Sequence, residues 1–330
     1  MIATRLYRSF LVTLVGSLLA LGANCASAAY LSLYAFGDSL SDAGNAYALS
    51  GHPQSPPYDQ RFSNGPVAVE QLAAHLGIAG FRASQLGGTD YAVGGAQTGP
   101  DMFSGTDNYL TYAGISVLEG TGIENQVSSF VGAPPIFDPS TSLFFVWGGA
   151  NDLFAALSLS PGDAPTVAAD AVANLANEIG ALASIGAQHF LVPNMPDLGD
   201  TPLGLASGDP AGLTALSAGF NQGLDSALAT LRNMFGLDIR EFDTFSLLDQ
   251  VVANPGAFGF TNVTDPCVLE GTVCQDPSQY LFWDEVHPTA AAHQVLADAF
   301  AATVPEPGTI ALLGVGLLGL GINRRKRARG

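Results

Sequence analysis

Tyr30-Leu31-Ser32-Leu33-Tyr34-Ala35-Phe36 is a run of apolar and β-forming residues that stops at Gly37-Asp38-Ser39-Leu40. A short apolar run closed by turn residues is the pattern of a buried strand. The pattern recurs downstream. Residues 89–93 read as a short strand ending at Gly94-Gly95, and residues 143–147 as a strongly apolar strand ending at Gly148-Gly149. Residues 189–192 read as a strand stopped by Pro193, and residues 237–242 as one more. Between and after these, residues 67–76, 123–131, 164–185, 211–235, 245–252 and 288–302 carry helical patterns. Strands alternating with helices predict an α/β domain whose parallel sheet is covered on both faces. Residues 94–122 and 254–280 read as loops, and loops that long in a compact domain usually serve or cover a site. Ligands of such sheets sit at the carboxyl ends of the strands. The ends at Gly37, Gly94, Gly148 and Pro193 are therefore the places to look.

The chain has 330 residues, 48% hydrophobic and 12% charged, too apolar for a disordered protein. Its 39 glycines and 20 prolines follow no triplet period, which excludes collagen. Lys plus Arg number 11 against 29 Asp plus Glu, a net charge of −18. The cations crowd the two ends: Arg5 and Arg8, then Arg324, Arg325, Lys326, Arg327 and Arg329. Between them only Arg61, Arg82, Arg232 and Arg240 remain, and this middle part carries about −24. So acidic a body repels phosphate backbones, which excludes a nucleic-acid partner. It also associates poorly with anionic lipid.

Both ends read as processing signals. Residues 1–28 combine two early arginines, an apolar run over 11–23 and the small-residue exit Ala26-Ser27-Ala28. That order describes a secretory signal peptide and places the mature start near Ala29; the alternative is an uncleaved anchor. Residues 304–330 run Val304-Pro305-Glu306-Pro307, an apolar Gly-rich stretch over 308–322, then the basic cluster. Fifteen residues at 1.5 Å each reach only about 22 Å, marginal for crossing a bilayer. Gly314-Val315-Gly316-Leu317-Leu318-Gly319 matches a dinucleotide pattern but follows no strand and opens no βαβ unit, so it is set aside. Residues 29–303 show no linker and read as one domain. Cys267 and Cys274 lie in a loop-like stretch, and in an oxidising compartment they can close a small disulfide loop.

Ser39 stands just past the first strand, where a hydroxyl can project above the sheet. The residue two places later is Ser41, so this is not the Gly-x-Ser-x-Gly elbow. A serine needs a base. Of five histidines, His75 lies within a helical pattern, His189 begins a strand and His293 falls inside the last helix; His52 completes the set. His287 differs: in Asp284-Glu285-Val286-His287-Pro288 it precedes the last helix with an acid three residues upstream. That spacing lets the carboxylate hold Nδ1–H and turn Nε2 toward a serine. Acyl transfer also needs donors for the developing oxyanion. Gly95 follows the second strand and Asn151 the third, one offering a backbone N–H and the other a side-chain amide. Met102, Phe103, Tyr109 and Tyr112 in the first long loop are candidates for an acyl pocket or for plain loop packing.

Taken in order, Gly37-Asp38-Ser39-Leu40, Gly95, Asn151 in Gly-Ala-Asn-Asp, and Asp284 with His287 resemble the four blocks of the GDSL, or SGNH, hydrolases over residues 36 to about 300. The resemblance implies a three-layer α/β/α sandwich with a flavodoxin-like parallel sheet. It implies Ser39, Asp284 and His287 as catalytic residues, and Ser39, Gly95 and Asn151 as the oxyanion hole. It implies no metal and no organic cofactor. It also implies an ester substrate, a small molecule, lipid or acylated sugar. The tail resembles the PEP-CTERM sorting signal of Gram-negative bacteria, which implies export to the cell envelope or exterior, transient membrane anchoring and a processing protease as partner. The leading expectation is a secreted serine esterase or lipase. An acyltransferase on the same residues and a non-catalytic surface or matrix binding protein are the alternatives.

Overall fold

The computed structural model describes residues 30–304, of which 31–304 form one compact unit. The leader expected over 1–28 and the sorting tail after Val304 lie outside the described residues. Strands β1 (Ser32–Gly37), β2 (Ser142–Trp147), β3 (His189–Pro193) and β4 (Asp238–Phe242) run parallel and adjacent in chain order. The helices are α1 (Asn45–Ser50), α2 (Ala68–His75), α3 (Ile123–Gly132), α4 (Ala150–Leu159) and α5 (Ala164–Ser184). They continue with α6 (Pro202–Ala206), α7 (Pro210–Phe235), α8 (Thr244–Ala253) and α9 (Ala290–Thr303).

Successive strand residues point to opposite faces. Tyr34 and Phe36 of β1, Phe144 and Val146 of β2, and Phe190 and Val192 of β3 face one way, into a core shared with α3, α5 and α7 through Phe130, Ile179 and Leu228. Phe145 and Trp147 face the other way, where Phe300 of α9 meets both rings at 5.5 and 5.8 Å. Burying one such side chain contributes roughly 1.5–3 kcal/mol, so each sheet face is a strong attachment for its helices. The alternation thus yields the expected three-layer sandwich.

Residues 89–93 depart from expectation: they make a partial edge, not a regular strand. Ala35 donates its N–H to the Thr89 carbonyl at 3.1 Å, and Tyr91 and Val93 donate to the carbonyls of Ala35 (2.7 Å) and Gly37 (3.1 Å). Only Asp90 bridges Ala35 in register. The ladder lacks the bond from the Gly37 N–H, which the Gln126 side chain takes at 2.9 Å. With this edge beside β1, the spatial order is second, first, third, fourth, fifth, the flavodoxin-like arrangement. Its crevice falls between β1 and β2, where the direction of winding reverses.

Residues 254–280 are more structured than a loop. β5 (Asn262–Pro266) pairs with β8 (Tyr280–Phe282), and β6 (Val268–Leu269) with β7 (Thr272–Val273). Cys267 and Cys274 are joined by a disulfide at the base of that hairpin. Residues 94–122 hold two short 3-10 turns, Tyr109–Ala113 and Ser116–Leu118, pinned by buried Asp107, which accepts from the N–H of Gly120 (2.8 Å) and Gly122 (2.7 Å). Among the described residues no helix is long and apolar enough to cross a membrane.

Candidate active site

Gly37 ends β1 where no side chain fits, since a Cβ there would overlap the Trp147 carbonyl of β2. The chain then turns tightly. Ser41 and Asp42 donate their N–H groups to the Asp38 carbonyl at 3.1 and 3.0 Å, and Leu40 donates to Asp38 Oδ1 at 3.0 Å. Ser39 sits in that turn and is 7% exposed. Asp42 ties the turn to its surroundings: its carboxylate accepts from Gly44 at 2.7 Å and from Gly94 at 2.8 Å. That second bond sets the end of the 89–93 edge beside the serine turn.

The imidazole arrives from the other end of the chain. Asp284 Oδ1 accepts the N–H of Val286 at 3.0 Å and of His287 at 2.8 Å, which folds the segment back on its own carboxylate. His287 Nδ1 then lies 2.8 Å from Oδ2 and 2.9 Å from Oδ1 of Asp284. A carboxylate only accepts, so Nδ1 carries the proton and Nε2 is left to accept. The Ser39 Oγ lies 2.8 Å from Nε2. The Phe62 ring packs on the imidazole at 5.2 Å between centroids. The structure therefore brings Ser39, His287 and Asp284 into one hydrogen-bonded row.

Burial alone would raise the Asp284 carboxyl, but His287 beside it and the two backbone N–H groups hold it below its ordinary value. Burial likewise draws the His287 imidazole down, and the charge and hydrogen bond of Asp284 outweigh it, so its pKa is raised. Asp38, buried in the turn next to Ser39, is pushed up to about 6 by desolvation, against the Leu40 N–H and His287 that favour its ionised form.

Gly95 and Asn151 line the same cavity as Ser39. Gly95 has φ +81°, and a Cβ there would overlap the Asn108 side chain, so the position needs glycine. The Asn151 Nδ2 spends one hydrogen on the Ala96 carbonyl at 3.0 Å and keeps the other. Asn151 opens α4, a helix the sequence pattern did not show.

Of the four loop residues considered for an acyl pocket, only Tyr109 lines the cavity. Met102 is exposed, Phe103 packs against Ala156, Ala164 and Val167, and Tyr112 donates to Asp101 at 2.6 Å. His52 is exposed, and the other three histidines are held elsewhere. His75 faces Asp298, His189 faces Asp238, and His293 Nδ1 accepts from the Ala68 N–H at 3.1 Å. Tyr58 was not visible from sequence: its hydroxyl donates to Asp284 Oδ2 at 2.8 Å. It follows three prolines in a stretch with no motif to mark it.

Sandwich and crevice together place the chain in the α/β class. The family described as GDSL-like Lipase/Acylhydrolase matches residues 33–300, and the chain belongs to it; it is an ester-bond hydrolase. A PEP-CTERM protein-sorting motif matches residues 303–327 and indicates export to the envelope or extracellular space. A Pseudomonas putida protein from the trpE-trpG intergenic region is 31% identical over 86% of this chain, and the chain spans 50% of its length. An Arabidopsis thaliana GDSL esterase/lipase is 26% identical over 81% of this chain and 87% of its own. A catalytic mutant of Axe2, an acetylxylan esterase from Geobacillus stearothermophilus, superposes with a TM-score of 0.46 at 15% identity, covering 84% of this chain and 95% of that one.

Proposed function

We propose that the protein is a secreted serine esterase working through an acyl-enzyme on Ser39. The supporting observation is the 2.8 Å contact between Ser39 Oγ and His287 Nε2, with Asp284 on the far side of the ring. His287 takes the Ser39 proton as Oγ attacks the ester carbonyl, and Asp284 steadies the imidazolium that forms. The oxyanion is held by the Ser39 and Gly95 backbone N–H groups and by the Asn151 amide. When the tetrahedral intermediate collapses, the C–O bond to the alcohol breaks and His287 hands its proton to the leaving oxygen. Water, deprotonated by the same imidazole, then cleaves the acyl–Ser39 bond. A leader removed before Ala29, and a tail that anchors the chain briefly until a sorting protease cuts it, complete the reading.

The test is direct. A fluorophosphonate labels the purified protein at Ser39, and Ser39→Ala abolishes both labelling and ester hydrolysis. Unchanged hydrolysis by the Ser39→Ala protein overturns the proposal.

A further inference from the structure

The disulfide hairpin is bonded directly to the segment that carries the imidazole. β6 and β7 contribute two residues each, with Val268 opposite Val273 and Leu269 opposite Thr272. Glu270 and Gly271 turn between them with φ +49° and +79°. Two successive positive φ values are those of a tight two-residue hairpin turn. A lone two-stranded hairpin is marginally stable in water. Burial adds little here, since Val268 is half-buried and Leu269, Thr272 and Val273 are exposed. The covalent bond from Cys267, 2% exposed, to Cys274 closes the hairpin at its base, where the Cys274 N–H donates to the Cys267 carbonyl at 2.7 Å.

From that base the bonds run to the residues just before Asp284. Cys267 donates its N–H to the Phe282 carbonyl at 3.1 Å, and Val268 donates to the Trp283 carbonyl at 2.8 Å. The Trp283 carbonyl belongs to the peptide unit that ends at the Asp284 nitrogen, so Val268 fixes the plane from which Asp284 departs. The Trp283 N–H in turn donates to the His287 carbonyl at 2.7 Å and closes the turn in which Asp284 holds the imidazole. Val268, Leu269 and Glu270 also line the Ser39 cavity beside Asp284 and His287. Resting on the serine-esterase reading, we infer that Cys267 and Cys274 are positioning residues: their disulfide keeps Asp284 and His287 aligned on Ser39, and the dithiol form is a poor esterase. The bond forms by exchange. The two thiols give two electrons and two protons to a disulfide oxidant, protein-borne or glutathione disulfide, which leaves as two thiols. A reducing compartment keeps the pair as thiols and an oxidising one closes it. The row is then completed where the sorting motif directs the chain.

The experiment uses the full chain and p-nitrophenyl acetate, with dithiothreitol to open the pair and a thiol titration to count the sulfhydryls released. A misplacement of about 1 Å can cost 100-fold in rate. Reduction therefore lowers kcat by about tenfold or more with KM nearly unchanged, and glutathione disulfide restores it. Asp284 raises the His287 pKa, so a loosened row also moves the acid limb of the kcat/KM profile to lower pH, which a purely structural loss does not. The double variant Cys267→Ser, Cys274→Ser behaves as the reduced protein and ignores dithiothreitol, which separates the pair from Cys25. Circular dichroism keeps its folded signal throughout, and the reduced wild-type protein carries the test if the double variant does not fold. An unchanged kcat, an unmoved limb, or unfolding on reduction overturns the inference. If Ser39→Ala abolishes hydrolysis in that case, the serine reading stands. If Ser39→Ala leaves the wild-type rate intact, it is the serine reading that falls.

Discussion

The Tyr58 hydroxyl and the Asp284 carboxylate, 226 residues apart, meet at 2.8 Å. The bond occupies Oδ2, the same oxygen that faces His287 Nδ1. Tyr58 thereby limits both where the carboxylate points and how much of its charge the imidazole feels. Hydrogen bonds to charged groups contribute about 1.5–3 kcal/mol. Replacing Tyr58 by Phe should lower kcat roughly tenfold with little change in KM. Freed of one donor, Asp284 attracts the imidazolium more strongly, so the acid limb of the kcat/KM profile should move to higher pH. A purely structural role would lower stability and leave that limb in place.

Wild-type activity should rise with pH through the His287 ionisation. The base must be neutral, and its pKa is raised above the ordinary value of 6.5. A rate profile for a soluble ester should therefore reach half its plateau above pH 6.5. Asp284, held below its ordinary value, remains ionised throughout that window. A midpoint near pH 5 would contradict the coupling between the two groups.

On the proposed mechanism, Asn151→Ala removes an oxyanion donor that lines the cavity without touching the row. The loss of one oxyanion donor costs on the order of 100-fold or more in kcat. Steady-state kinetics should show that drop with KM nearly unchanged, and the fluorophosphonate should still label Ser39, more slowly.

Stability should be greater at pH 5 than at pH 8. Desolvation pushes Asp38 and Asp42 up to about 6 and Asp152 up to about 7 in the fold. Unfolded, each returns to about 4. The folded state thus keeps protons that the unfolded state has released, and the stability this provides is lost as pH rises from about 4 to 7. His293, drawn down to about 3 by burial, works the other way between pH 6.5 and 3, but Asp90 and Glu178, both raised well above the usual carboxylate range, add to the three aspartates. Melting temperatures across this range read the balance.

Glu178 on α5 is 4% exposed, and neither carboxyl oxygen has a hydrogen-bond partner among the described residues. Burial first, then Asp152 and Glu124, push its pKa well above the usual range. An unpartnered buried polar group costs about 1–3 kcal/mol. Glu178→Met, similar in length and apolar, should raise the melting temperature measurably; a lower one would reveal a partner for this carboxyl.

The sheet was legible because its central strands are strongly apolar, as in 143–147, and its long helices keep strict spacing, as in 164–185. The row was foreshadowed because Asp284 and His287 are three residues apart and Ser39 follows a strand. Other parts left no local trace. The pairing of β5 with β8 joins short strands without apolar alternation, such as Asn262–Pro266. The Gly148-Gly149 turn hid the start of α4. The 89–93 edge looked regular because nothing nearby announces that Gln126, far along the chain, will claim the Gly37 N–H. Tyr58 owes its place to tertiary packing, with its ring edge-on to both Phe62 and Trp283.

The alcohol and the imidazole come from opposite ends of the body, 248 positions apart, and α9 packs on α2 just beyond the imidazole. A chain still threading outward through a membrane therefore has its hydroxyl early and its base last. On the serine-esterase reading proposed above, such a chain would be chemically silent in transit and armed only when the final helix seats. Val304, 1% exposed and donating its N–H to the Phe300 carbonyl, closes that helix, so under the proposed tail processing a cut that spares it would leave the seating intact.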